Sequence, residues 1–140
     1  MRTMLFAMLI GLAVLAQPPS ARAAEGAAKA AQAVIAAQIE AFRRDDGATA
    51  YSYASPEIQA LFPSVEIFMS MVRKGYAPVY HPQRYEFSDG TVSGEAIVQA
   101  VEVTAADGSD WVAIYTLRPM PDGSLKITSC HLQKREGTGA

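Results

Sequence analysis

The sequence predicts an α+β fold, with N-terminal helices packed on a four-stranded antiparallel sheet. Three observations carry this. Apolar residues recur at spacings of three and four from Ala28 to Val72. From Tyr85 onward the period becomes two. The signals between the last three strands, Asp107-Gly108 and Pro121-Asp122-Gly123, are short, and short turns join antiparallel neighbours.

The first element precedes the domain. Arg2 is followed by an apolar run from Met4 to Ala16, interrupted only by Gly11. Gln17-Pro18-Pro19-Ser20 ends any helix there, and Ala21-Arg22-Ala23 has the small-x-small pattern that signal peptidase requires. The run is shorter than the roughly 20 apolar residues that cross a bilayer. The expectation is a signal peptide over residues 1–23, cleavage after Ala23, and a periplasmic or secreted protein with no stable membrane anchor after cleavage. A single domain over residues 24–134 and a polar, frayed tail over 135–140 complete the organisation.

The chain has 12 Lys+Arg against 14 Asp+Glu; without Arg2 and Arg22 that becomes 10 against 14, a net charge of −4. A mildly acidic domain with no basic run lacks the footprint of a nucleic-acid or anionic-membrane binder. Half of the residues are hydrophobic, enough for a packed core. Cys130 is the one cysteine, so no internal disulfide is available and stability rests on packing. Its mid-strand position predicts a buried, unmodified thiol.

In the mature chain, Glu25 to Asp45 reads as a helix with an apolar stripe of Ala28, Ala31, Ile35, Ile39 and Phe42. Asp46-Gly47 ends it, and Ala48 to Ala54 forms a short second helix. Ser55-Pro56-Glu57 supplies a cap, a proline at the first helical position and an acid near the positive end, starting a turn through Leu61. Ser64 begins another helix, with Val65, Phe68, Met71 and Val72 on one side and Gly75 at its end. Tyr76 to Pro82, with two prolines and two tyrosines, reads as an extended linker. Strands are expected at Tyr85–Ser88, Glu95–Thr104, Trp111–Arg118 and Leu125–Gln133.

Both faces of this sheet are apolar. Val98, Ala100, Val112, Ile114, Cys130 and Leu132 are even-numbered; Ile97, Val101, Val103, Trp111, Tyr115, Leu117, Leu125 and Ile127 are odd-numbered. One face takes the helices. The other needs a cover, either curvature over a pocket or a second copy of the chain, a homodimer through the sheet. A two-residue Asp-Gly turn would swap parity between the second and third strands and a longer loop would not, so the facing parity stays open.

The sequence holds no glycine-rich phosphate loop, G-x-S-x-G elbow, H-E-x-x-H or C-x-x-C motif. Of the two histidines, His131 neighbours Cys130 on a strand, where adjacent side chains point to opposite faces. No metal site and no cofactor are expected. An isomerase-like site needs a carboxylate in an apolar cavity, and Glu102 is the one acid in the middle of a central strand. Its ordinary role is to face solvent or pair across the strand. The candidate ligand site is the segment Tyr76 to Arg84, which joins helix to sheet. Tyr76, Tyr80, His81 and Arg84 would form its rim, joined by Tyr115 and His131 from the third and fourth strands. The competing account is that Tyr76 and Tyr80 seal the helix–sheet junction.

The strings QIEAFRRDDGATAYSYASPEIQ, MVRKGYAPVYHP and WVAIYTLRPMPDGSLKITSC resemble domain-of-unknown-function family 4864, a family of exported bacterial domains. The likeness runs from about Ala31 to Leu132. Its most specific pieces are Arg73, Gly75-Tyr76, Pro78-Val79-Tyr80 and the spacing Trp111, Tyr115, Asp122-Gly123, Cys130. Leu125 departs from the pattern, which has tryptophan there. The element order is also similar to the cone-shaped nuclear-transport-factor-2-like superfamily, which includes ketosteroid isomerase and plain binding domains. That likeness implies a curved sheet with a pocket against the helices, but no reaction. The expected function is non-catalytic binding of a small molecule or a partner. The alternatives are an isomerase- or cyclase-type enzyme using the same cavity, or a structural subunit that dimerises through its sheet.

Overall fold

A computed structural model describes residues 15–136. Most of the apolar leader run and the last four residues of the expected tail lie outside the described residues. Five helices precede one four-stranded antiparallel sheet with the order β1-β2-β3-β4. The helices are α1 (Pro19–Arg43), α2 (Gly47–Ser52), α3 (Pro56–Leu61), α4 (Val65–Gly75) and α5 (Ala77–Tyr80). The strands are β1 (Arg84–Ser93), β2 (Ala96–Thr104), β3 (Asp110–Pro119) and β4 (Leu125–Lys134). The α+β prediction is met. No helix among the described residues is long and apolar enough to cross a membrane.

Three caps follow the sequence signals. The side chains of Asp46, Ser55 and Ser64 accept the backbone N–H of Thr49, Ile58 and Ile67. Two differences from expectation among the helices stand out. α1 starts at Pro19 rather than Glu25, because a proline in the first turn gives up an N–H that has no partner anyway and the following alanines propagate the helix. Residues 15–26 are all exposed, and the first buried residue of α1 is Ala31. The expected linker contains α5, since Pro78 also falls in a first turn and Pro78 and Val79 are buried.

Facing parity is settled by the turns. In the two Asp-Gly-Ser hairpins, Gly108 N–H donates to Ala105 O at 2.9 Å and Gly123 N–H to Met120 O at 2.9 Å. Both glycines adopt φ +86°, which favours glycine, and Asp107 and Asp122 accept the N–H of Ser109 and Ser124. These are three-residue loops, not two-residue turns, so parity is kept from β2 to β3. Ile97 pairs with Leu117, Val101 with Ala113 and Val103 with Trp111. The odd positions of β2 and β3 therefore face the helices. β4 then changes parity at a bulge: Leu117 pairs with Ile127, but Tyr115 pairs with Cys130. Leu125, Ile127, Cys130 and Leu132 consequently all pack against the core.

β1 runs five residues past its expected end through a second bulge between Phe87 and Gly90. Gln99, fully buried, holds that bulge. Its Nε2 donates to Ser88 O at 3.1 Å and to Ala100 O at 2.8 Å, while Gln32 Nε2 donates to its Oε1 at 3.3 Å. On the outer face, Val98, Ala100, Val112 and Ile114 are half-buried by their sheet neighbours alone.

Buried residues fall into two clusters. One fills the space between α1 and the sheet, around Ile35, Ile39, Val101 and Leu117. The other joins the end of α1 to α2 and α4, around Phe42, Ala50, Phe68 and Val72.

Candidate functional site

A cavity of about 240 Å³ opens where the two clusters meet. Phe42 of α1, Phe68 and Val72 of α4, and Ile58 and Phe62 at α3 make its helical wall. Tyr115, Ile127 and Cys130 make its sheet-side floor. The wall follows from helical period: Phe42 projects from the same α1 stripe as Ile35 and Ile39, about one turn further along the helix.

The third helix covers this cavity lightly. It buries none of its own residues. It is tethered by hydrogen bonds instead. Ser55 N–H donates to Ile127 O at 2.9 Å, and Tyr51 Oη shares its proton between Phe62 O at 2.7 Å and Gln59 O at 3.2 Å. Gln59 Nε2 returns a bond to Tyr51 O at 3.0 Å.

Polar atoms in the cavity are few. Gln38 is buried and donates to Ala50 O at 3.1 Å. Thr128, Ser129 and Cys130 line the side formed by the β4 bulge. Tyr115 is 1% exposed, and its hydroxyl is buried against the Cys130 side chain. Burial pushes the Tyr115 hydroxyl well above its usual range, with the neighbouring Cys130 adding to the shift. Burial likewise pushes the Cys130 thiol up to about 12, partly offset by the nearby Tyr115 hydroxyl. Cys130 is half-buried rather than fully buried, because its side chain ends at the cavity. Both groups are neutral at ordinary pH, so Cys130 is a poor nucleophile.

Of the six residues expected to form a ligand site, the fold brings Tyr76 and Tyr115 to this cavity and sends the other four elsewhere. Tyr80 and His81 stack at 3.9 Å and turn toward the end of α1. Tyr80 Oη donates to Asp45 Oδ1, and His81 Nε2 lies 3.0 Å from Phe42 O and 3.2 Å from Asp45 Oδ1. Those contacts, the Tyr80 hydrogen bond foremost, lower the Asp45 pKa. They hold Asp45 at φ +55°, so this pair secures the α1 terminus. Arg84 Nε donates to Thr104 Oγ1 at 3.2 Å, in a polar hollow at one end of the sheet beside the ion pair of Glu102 and Arg135 at 2.7 Å. His131 pairs with Ile114 on the outer face, opposite to Tyr115. The β4 bulge is the reason: it turns Cys130 inward and its neighbour outward.

The cavity residues that sequence reasoning missed include Phe42, Phe68, Val72, Ile58, Phe62 and Gln38. Phe42, Phe68 and Val72 read as core because a cavity wall has the same helical period as a core face. No group of three or more His, Cys, Asp or Glu side chains placed to hold a metal ion occurs among the described residues.

No curated protein matches the chain. Among solved structures, it is similar to an NTF-2-like protein of unknown function from Silicibacter pomeroyi DSS-3, with a TM-score of 0.56 and 18% identity over 85% of this chain and 100% of that one. At that identity the likeness is one of fold, and it agrees with the nuclear-transport-factor-2-like architecture expected from the element order. The resemblance read from the sequence strings also holds over the whole domain: the chain belongs to the family described as Domain of unknown function (DUF4864), which matches residues 24–140.

Proposed function

We propose that this domain is an exported, non-catalytic binding module that holds one small apolar molecule between its helices and its sheet. The supporting observation is the cavity wall: aromatic and aliphatic side chains from three helices converge on a sheet-side floor that carries few polar atoms. Its 240 Å³ lies below the roughly 300–1,000 Å³ that drug-sized ligands occupy, so the ligand is small. No acid or histidine lines it. Proton-transfer chemistry of the isomerase type needs such a group, and Glu102 is bound to Arg135 away from the cavity.

The uncharged dye 1-N-phenylnaphthylamine tests this. Its fluorescence should rise saturably with one dye per chain. Met71→Phe and Ile58→Trp, which add bulk at partly buried positions of the wall, should each weaken binding about tenfold or more while the melting temperature stays near that of the native protein. Absence of saturable binding, or normal binding by both variants, sinks the reading.

Export is supported by the leader pattern, by the family match beginning one residue past Ala23, and by the exposure of residues 15–26. Among the described residues, a cut there removes only exposed ones. N-terminal sequencing of the exported protein should begin at Ala24; retention of Met1 overturns the assignment.

A further inference from the structure

We propose that the ligand of this cavity is a single-chain amphiphile: one end of an unbranched alkyl chain fills the cavity, and the rest leaves between Phe62 and Met71 to lie along the outer side of α4. This rests on the binding reading above and specifies the shape and chemistry of its ligand.

A surface hollow lies on α4, lined by Phe62, Glu66, Ile67, Ser70, Met71 and Lys74. Phe62 and Met71 also line the cavity, so the two spaces meet at these side chains. Both residues are half-buried. Phe62 caps the end of α3, the helix that buries none of its own residues, and its carbonyl is held by the Tyr51 hydroxyl at 2.7 Å. Met71 is unbranched and adapts to what packs against it. The sill between the two spaces is thus one ring and one flexible thioether.

Just beyond the sill, Ile67 is 50% exposed and does not line the cavity. Leu61, the residue before Phe62, is 74% exposed. Two of the four large apolar side chains exposed among the described residues therefore lie beside the cavity mouth. A ligand that covers Ile67 removes apolar surface from water.

The chemistry of the ligand follows from the rows of α4. Ile67 and Met71, one turn apart, make an apolar row; Glu66, Ser70 and Lys74 make a polar row beside it. A chain along this helix meets apolar surface on one side and hydrogen-bonding groups on the other, which suits an alkyl chain ending in a polar head. Glu66 and Lys74 stand at opposite ends of the polar row with opposite charge, so the hollow offers no net charge to an ionic head. The head is uncharged. An unbranched chain is narrow and flexible enough to occupy both spaces at once, whereas a rigid compact body fills one.

Primary alkanols from hexanol to decanol, each displacing 1-N-phenylnaphthylamine, test the shape. Affinity should rise about threefold to fourfold per methylene while the cavity fills, and then about twofold per methylene along the half-exposed hollow. Ile67→Ser should weaken decanol binding about fivefold and leave hexanol, which the cavity alone holds, nearly unaffected. Ile67→Leu should restore decanol binding. Decanoate and decylammonium should each compete about fivefold less well than decanol. An affinity that levels off before decanol overturns the inference: Phe62 and Met71 then wall the two spaces apart, and compact apolar binding stands. Equal effects of Ile67→Ser on hexanol and decanol, or none on either, overturn it as well. An ionic probe that competes better than decanol overturns the uncharged head. Dye that binds but yields to no alkanol overturns the inference alone; dye that does not bind overturns the binding reading beneath it.

Discussion

Phe42→Ala is expected to destabilise the domain by about 3–5 kcal/mol, the range for truncating a buried aromatic. Phe42 is 2% exposed and lies 6.2 Å, ring to ring, from both Phe68 and Tyr80. It sits at the seam of the two hydrophobic clusters and forms part of the cavity wall. The backbone there cannot collapse inward, because Phe42 O is held by His81 and α1 is anchored on the sheet by Ile35 and Ile39. The vacated space should therefore join the existing cavity. For a domain of this size the loss amounts to a fall in melting temperature of roughly 10 °C or more. The enlarged cavity should still take apolar ligands, with a preference shifted to bulkier ones. Urea unfolding measures the first effect and a size series of aromatic hydrocarbons the second. A loss under about 1.5 kcal/mol would mean that the seam repacks around the gap.

Gln99→Glu, a change of one side-chain atom, should be comparably damaging. The amide of Gln99 faces backbone carbonyls of Ser88 and Ala100, with Asp89 O 3.4 Å away, and donates to them. A carboxylate in the same place would turn acceptors toward acceptors, fully buried, with only the Gln32 amide as a donor. Gly90 permits this approach: a Cβ there would stand 2.6 Å from Gln99 Oε1. An uncompensated buried charge costs about 3–5 kcal/mol. The introduced carboxyl would have a raised pKa in the folded state. Below its unfolded value, near 4.3, both states are protonated and the penalty is small. As pH rises, the unfolded state ionises freely while the folded state must hold on to the proton or bury the charge, and stability falls. The variant should thus be most nearly native in mild acid and weakest at neutral pH. The opposite slope would show that water or a cation reaches the bulge.

Architecture was legible in this sequence because its cues are local. Ser55-Pro56-Glu57, Ser64 and the Asp-Gly pairs each act within a few residues, and each lies at the element boundary it signals. Register and site were not, because they depend on partners distant in the chain. Whether odd or even positions face inward rested on loops whose length in space cannot be counted from Asp-Gly alone. The β4 bulge was written in the sequence, as a three-residue step from Ile127 to Cys130 between two stretches of strict alternation. Its meaning appears only when Leu117 and Tyr115 are set opposite. Tyr80 and His81 looked like a binding rim for their chemistry. Asp45, the partner that claims them both, is 35 residues from Tyr80 along the chain, with α2, α3 and α4 between.

That step in β4 also bears on how such a domain can change over generations. Thr128 is the extra residue of the bulge, between Ile127 opposite Leu117 and Ser129 opposite Thr116. Losing it would leave Ile127, Cys130 and Leu132 on the core face and His131 outside, so the fold has no reason to fail. What would go is the local bend that brings Thr128 and Ser129 to the cavity. A single in-frame codon deletion is thus a short genetic route to a domain of the same strand register whose cavity lacks this polar side.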